Sequence, residues 1–282
     1  MIKEKSYTRI TLSLDIIRKL KEGPYAGYHE LNILKHQIDL HDVVSIKPSD
    51  TIGITCDHPE VPTDERNICW RIVEILKKEY DIAENVHIII VKNIPVKGGL
   101  AGGSTNAATV LSLLNKYWQL NLNKEQFYTI AGKVGMDIPF YFIGGTAFDT
   151  EATGVLESIP TLCSFDFVLA TPDFGVSTRE AYNSIDYSRI GQDTDKTRKM
   201  RLALEAGNHE AVIALMHNDF EESVFKHYPQ LKQIKEELLD AGCLNAVLSG
   251  SGSTIIGVVK DRKQAEQVKD VVSVPVICAS TI

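Results

Sequence analysis

"PVKGGLAGGSTNAAT", residues 95–109, sets four glycines (Gly98, Gly99, Gly102, Gly103) within six positions, directly before an alanine-rich run with helical spacing. Glycine this dense costs backbone entropy, and in front of a helix it removes the side chains that would hold an anion away from exposed amide groups. The preceding "NVHIIIVKN" reads as a strand, and a helix is predicted from about Ser104 to Trp118. Strand, glycine loop and helix N-terminus make a phosphate site, with a plain tight turn as the alternative. The chain contains neither G-x-x-x-x-G-K-[ST] nor G-x-G-x-x-G, so neither the P-loop nor the Rossmann fingerprint applies. The loop of Pro95, Val96, Lys97, Gly98, Gly99, Leu100, Ala101, Gly102 and Gly103, through its backbone amides from Val96 onward (Pro95 has none to donate), with the hydroxyls of Ser104 and Thr105, is the candidate cradle for a di- or triphosphate.

Working outward, residues 7–14, "YTRITLSL", alternate strictly: Ile10, Leu12 and Leu14 face one way, and Arg9, Thr11 and Ser13 the other. A second strand is expected at 43–48. A helix is expected to open within Thr63–Arg66 and to carry Ile68, Ile72, Val73, Ile75 and Leu76 on one side. "NKEQFYTIAGKVG" reads as a helix that delivers the chain to "MDIPFYF". Beyond about Pro160 come a strand in "FDFVLATP", helices around 178–184, 195–205, 208–217 and 229–241, a strand–turn–strand in "NAVLSGSGSTIIGVV", and a last helix and strand. The break falls near 150–165, giving domains 1–155 and 156–282.

The 282 residues carry 30 Lys and Arg against 37 Asp and Glu, a net charge of −7 that argues against general nucleic-acid binding while leaving room for small polyanionic substrates. Five scattered cysteines without a C-x-x-C pair fit a reducing cytosol and no zinc site. No stretch approaches a membrane span. The expectation is a cytoplasmic protein with no nucleic-acid or membrane partner.

The glycine stretch resembles the phosphate-binding motif of the GHMP kinases. "GYHELNILKHQIDLHD", "VPTDERNICWR", "VGMDIPFYFIGGTA", "PDFGVSTREAY" and "LSGSGST" fall in the order and spacing of the branch that phosphorylates a cytidine-diphosphate-linked methylerythritol in non-mevalonate isoprenoid synthesis. That resemblance implies an α+β, two-domain GHMP architecture with a ferredoxin-like C-terminal domain. It also implies ATP and Mg²⁺, and transfer of a phosphoryl group to the 2-hydroxyl of the cytidylated polyol. Asp137 lies on the family's catalytic aspartate, where a carboxylate takes the proton of the attacking hydroxyl. Tyr28 and His29 match its cytidine-binding pair, Tyr182 the aromatic closing the other side, and Asn67 lies near its adenine pocket. The 248–254 turn is its third motif, and is expected to close on the nucleotide.

Four features depart from the family. Arg9 replaces a lysine and Thr11 an asparagine on one face of one strand, Lys35 stands where an aromatic is common, and "EATG" (151–154) replaces a glycine-rich turn. All gather on the acceptor side. Arg9 keeps the positive charge in a larger, planar form, and Thr11 is expected to share its pocket. Two alternatives follow: a GHMP kinase with a different small alcohol as acceptor, or a nucleotide-binding paralogue without chemistry whose Arg9 is an exposed edge residue.

Overall fold

The alternation in 7–14 extends far beyond those residues. In the computed structural model, which describes residues 1–23, 25–191 and 195–282, strand β1 runs Ile2–Lys19 and β2 His29–Ser49. An alternating strand ordinarily has one wet face, but both faces of β1 are buried here. Ile10, Leu12 and Leu14 are covered on one side, Arg9, Thr11 and Ser13 on the other. At 6% exposure, Arg9 is an interior cation and not the edge residue that loss of activity would allow.

Two compact units form, each from separate stretches: Met1–Thr8, Leu40–Val96 and Ala101–Ile143 in the first, and Arg9–Asp39, Lys97–Leu100 and Gly144–Ile282 in the second. In the first unit, β3 (Gly53–Cys56) lies parallel to β4 (Asn85–Val91), and β4 pairs antiparallel with β2 from Val43↔Val91 to Ser49↔Asn85. Helices α1 (Ile68–Glu79), α2 (Gly102–Tyr117) and α3 (Lys124–Val134) share one core with this sheet. Ile72, Val73 and Leu76 of α1 and Val110, Leu111 and Leu114 of α2 meet Val86, Ile88 and Ile90 of β4 there, the helical and strand periods in register with one apolar layer. α1 starts later than its sequence suggests: the Asn67 side chain accepts from the Cys69 amide at 2.9 Å and caps it. α3 opens on a capping box between Asn123 and Gln126.

In the second unit, β5 (Thr146–Glu151) pairs with the first half of β2 and with β6 (Leu156–Ser158). A four-stranded antiparallel sheet follows, from β7 (Asp166–Ala170), β9 (Asn245–Leu248), β10 (Ile255–Val259) and β11 (Val276–Ser280), in the order β11-β7-β10-β9. Helices α4 (Thr178–Asn183), α5 (Asp195–Glu205), α6 (His209–Leu215), α7 (Phe220–His227) and α8 (Pro229–Asp240) intervene between β7 and β9, and α9 (Arg262–Lys269) between β10 and β11. This is the split βαβ pattern of ferredoxin-like folds. The two-residue β8 (His217–Asn218) runs parallel to β1 at Ser13 and Leu14. α7 has no counterpart in the sequence reading, because eight residues with only Phe220 and Val224 as buried apolar groups give too short a period to register. Among the described residues no helix is long and apolar enough to cross a membrane.

His36 carries a pH signature of this packing. Fully buried on β2, it bonds Thr146 Oγ1 through Nδ1 at 2.8 Å and Thr281 Oγ1 through Nε2 at 2.9 Å. Burial pushes its pKa down to about 4. The unfolded chain therefore binds a proton between about pH 6.5 and 4 that the folded protein refuses, and stability falls with pH across that window. The loss is expected to reach about 3 kcal/mol by pH 4 from this residue alone. Urea unfolding from pH 7 to pH 4, compared with His36→Gln, checks it: the variant should show the shallower decline.

Candidate active site

The glycine stretch is held by its neighbours into one conformation. Lys97, Gly99 and Ala101 all have left-handed backbone (φ +59°, +73° and +51°). α2 begins at Gly102 rather than near Ser104, so Gly102 and Gly103 belong to the first helical turn, which the tight-turn reading does not accommodate. Its N-cap, Ala101, offers no side-chain hydrogen bond, and the first turn holds no acidic residue. No side chain at the cap position therefore satisfies the leading amides, which lie at the positive end of a sixteen-residue helix. A Cβ on Gly102 would sit 3.0 Å from Ile94 Cγ2 and from Lys92 Nζ. Lys92 is itself paired to buried Asp42 at 2.5 Å, and the other Asp42 oxygen accepts from the Asn93 and Ile94 amides at 2.8 Å each. The sequence reading did not single out this clamp on the strand leading into the loop, since Asp42 and Lys92 lie 50 residues apart in the chain.

Within the second unit, Gly99 meets the 248–254 turn. A Cβ there would run into the carbonyl oxygens of Ser249 and Gly252, the second at 2.8 Å. The Gly98 carbonyl accepts from the Thr254 amide at 3.1 Å, and the Ser249 hydroxyl donates to the Gly99 carbonyl at 3.3 Å. The third glycine motif thus braces the first. Gly99→Ala should cost at least about 1–2 kcal/mol through its left-handed backbone alone, before the collision is counted, and should weaken nucleotide binding about tenfold or more. Gly103→Ala, whose Cβ meets only Ile68 Cδ1 at 3.6 Å, should leave stability intact while still weakening nucleotide binding. Urea denaturation and ATP titration of both variants check the pair.

Of the two hydroxyls expected to face phosphate, Thr105 is turned inward. It is 2% exposed, donates to the Tyr7 carbonyl at 2.7 Å and accepts from Ser6 Oγ at 3.1 Å. Ser104 and Gly103 lie on the accessible side of the turn.

Asp137 is half-buried and opens a 3-10 turn, Ile138–Phe142, in the first unit. Pro139 fixes the turn's start, and the Asp137 carboxylate does not cap it. Tyr141 from the same turn donates to the carbonyl of Ala101 at 3.4 Å, tethering the aspartate's element to the start of α2. Arg9 Nη1 donates to Thr11 Oγ1 at 3.2 Å and to the Gly99 carbonyl at 3.1 Å. Arg9 and Thr11 are thus hydrogen-bonded to each other, and the arginine reaches the glycine loop.

On the acceptor side, His29 stacks on Tyr182 with centroids 4.4 Å apart and planes within 19°. Tyr182 is backed by Phe220, edge to face at 4.9 Å. Tyr28 is exposed and lies edge-on to Tyr25 at 6.0 Å. Burial, with Lys19 adding to it, lowers the pKa of His29, so the ring is neutral near pH 7. Asn67 uses its side chain on its own helix and loop, accepting from the Cys69 amide and donating to the Pro62 carbonyl at 2.7 Å. Lys35 is fully buried and paired to Asp149 at 2.7 Å and Glu151 at 3.1 Å. Glu151 has a left-handed backbone (φ +47°) and donates its amide to Asp149 Oδ1 at 2.7 Å. Where the family tends to have an aromatic, this chain has an interior cation closed by two carboxylates.

A glycine-rich loop before α2 in the sequence and a ferredoxin-like sheet in the second unit are features of a class of small-molecule kinase. The chain belongs to the GHMP kinases: residues 67–145 match their N-terminal domain and residues 200–274 their C-terminal one. It is 37% identical over 266 residues to the 4-diphosphocytidyl-2-C-methyl-D-erythritol kinase of Shouchella clausii, covering 94% of this chain and 88% of that protein. The enzyme of the same name from Gloeobacter violaceus is also 37% identical, over 95% of this chain and 88% of its own. Among solved structures, a 4-(cytidine 5'-diphospho)-2C-methyl-D-erythritol kinase superposes with TM-score 0.82 at 23% identity, over 99% of this chain and 98% of the other. The homoserine kinase of Cytophaga hutchinsonii superposes with TM-score 0.75 at 17% identity, over 98% and 94%. The protein is an ATP-dependent kinase of a small molecule.

Proposed function

We propose that this kinase transfers the γ-phosphoryl group of ATP to the 2-hydroxyl of 4-diphosphocytidyl-2-C-methyl-D-erythritol, a step of isoprenoid synthesis, in the cytosol. The observation that supports it most is that relatives of that name match nearly the whole chain. The amides from Gly98 to Ser104 bind the phosphates, and the field at the start of α2 favours their charge. Asp137 orients the substrate hydroxyl and takes its proton as the new O–P bond forms and the bond to the β-phosphate oxygen breaks. Arg9 lies against the loop carbonyl and supplies positive charge to the transferring group. Tyr28, His29 and Tyr182 hold the cytosine. Among the described residues no group of three His, Cys, Asp or Glu side chains could hold a metal by itself. Mg²⁺, when bound with the nucleotide, would supply charge neutralisation on its phosphates.

A second reading, a different small alcohol as acceptor, is favoured by the Lys35 cluster together with Arg9 and Thr11. ATP turnover measured with and without the cytidylated polyol, and with other small alcohols, tests both. ATP consumption that depends on the cytidylated polyol supports the first; consumption that answers only to another alcohol supports the second; none with any acceptor leaves the nucleotide-binding paralogue.

A further inference from the structure

Tyr187 lies in the polar stretch "SIDYSR" that follows α4, where nothing in the sequence marks it. Its hydroxyl is 2.6 Å from Nε2 of His29, 158 residues away in the chain. The two rings have centroids 6.1 Å apart and planes within 9° of parallel. With an atom-to-atom bond that short, such a spacing means rings lying edge to edge in one plane, not face to face. The imidazole is thus fixed on two sides: Tyr182 stacks on its face at 4.4 Å and Tyr187 bonds its edge.

The bond has a chemical direction. A phenol is a ready donor, and a neutral imidazole offers one nitrogen as donor and one as acceptor. With Tyr187 donating to Nε2, the proton of the neutral ring sits on Nδ1, and Nδ1–H is the group His29 presents. A second tautomer would present a lone pair there instead. The Watson–Crick edge of cytosine carries acceptors at N3 and O2, whereas uracil carries N–H at N3. A fixed Nδ1–H donor meets an acceptor on the first and a donor on the second, and a donor facing a donor leaves both groups unsatisfied.

We infer that Tyr187 is a positioning residue that locks His29 in its Nδ1–H tautomer and thereby makes the nucleobase site select cytosine over uracil. This rests on the proposed cytidylated substrate and deepens it, by assigning selectivity to a side chain outside the Tyr28–His29 pair.

Two measurements on the intact protein test it. The first is ¹⁵N NMR of the His29 ring, assigned by its loss in His29→Gln, in the parent and in Tyr187→Phe. The parent should show a protonated Nδ1, and the variant a mixture of tautomers. The second is steady-state turnover with the cytidine- and uridine-diphosphate-linked methylerythritols. Tyr187→Phe keeps the ring, and its parent residue is half exposed, so the fold should tolerate it. It should raise KM for the cytidylated substrate about tenfold, with a smaller change in kcat, and lower the cytidine-over-uridine ratio by about the same factor. An unchanged ratio in the variant, or a parent ring protonated at Nε2, overturns the inference. A parent that turns over neither substrate instead overturns the proposed function and the base selectivity with it, and the NMR result then decides the tautomer lock alone.

Discussion

Asp137→Asn should abolish most turnover while leaving ATP affinity nearly unchanged. The substitution keeps the shape of the side chain and removes both its charge and its capacity to take a proton. General-base assistance is worth roughly 10²–10⁴-fold, and the loss should be at least of that order in kcat. Asp137 does not cap the turn it opens; Pro139 and the bond from Tyr141 to the Ala101 carbonyl hold that turn regardless. Under the proposed function ATP is held by loop amides that the mutation does not touch, so its dissociation constant is the internal control. Single-turnover rates with the cytidylated polyol, alongside ATP titration, separate the two effects. An Asp137→Asn variant as fast as its parent would show that the aspartate only orients the hydroxyl.

The sequence made the first unit legible because there the local and tertiary signals agree. Ile72, Val73 and Leu76 mark the buried face of α1, and the helix read in "NKEQFYTIAGKVG" appears as α3, although α1 opens later than its start signal suggests. It misjudged features in which burial overrides the pattern. On the polar side of β1 the sequence leaves Arg9 open between a pocket shared with Thr11 and an exposed edge, and only the assembled structure covers Arg9, Thr11 and Ser13. Thr105 is a hydroxyl at a helix start, the usual sign of an anion contact, yet Tyr7 and Ser6 claim it from a distant strand. Lys35 is singled out in the sequence as a departure, but its pairing with Asp149 and Glu151 shows only once β2 and β5 pair. The His29–Tyr187 bond joins positions with no shared period or motif. In each case the deciding partner lies about a hundred residues or more away, beyond the reach of any local rule.

Arg9 is where this kinase departs most sharply from its family, and its truncation should be nearly as damaging as loss of the aspartate. Removing one preorganised donor to developing charge costs about 10²–10³ in kcat. Arg9→Ala should fall in that range with the cytidylated polyol. Part of the effect acts through the loop, since Arg9 Nη1 also donates to the Gly99 carbonyl, and Ser249 Oγ remains there as the other donor. Arg9→Lys keeps the charge but replaces a planar fork with a point charge on a narrower stem, so it cannot bond Gly99 and Thr11 in the same geometry. Alone it should recover only part of the activity. Paired with Thr11→Asn it rebuilds the arrangement of the family, in which an amide side chain fills the place of the threonine. The double variant should then turn over the cytidylated polyol at least as fast as the parent. If the natural acceptor is another alcohol, the same pair should improve the methylerythritol substrate while slowing the natural one. Full turnover in Arg9→Ala would reduce the arginine to a brace for the glycine loop. Unfolding measured in parallel would then show a stability loss with no kinetic one, because a side chain that only holds Gly99 in place has no part in the charge that develops during transfer.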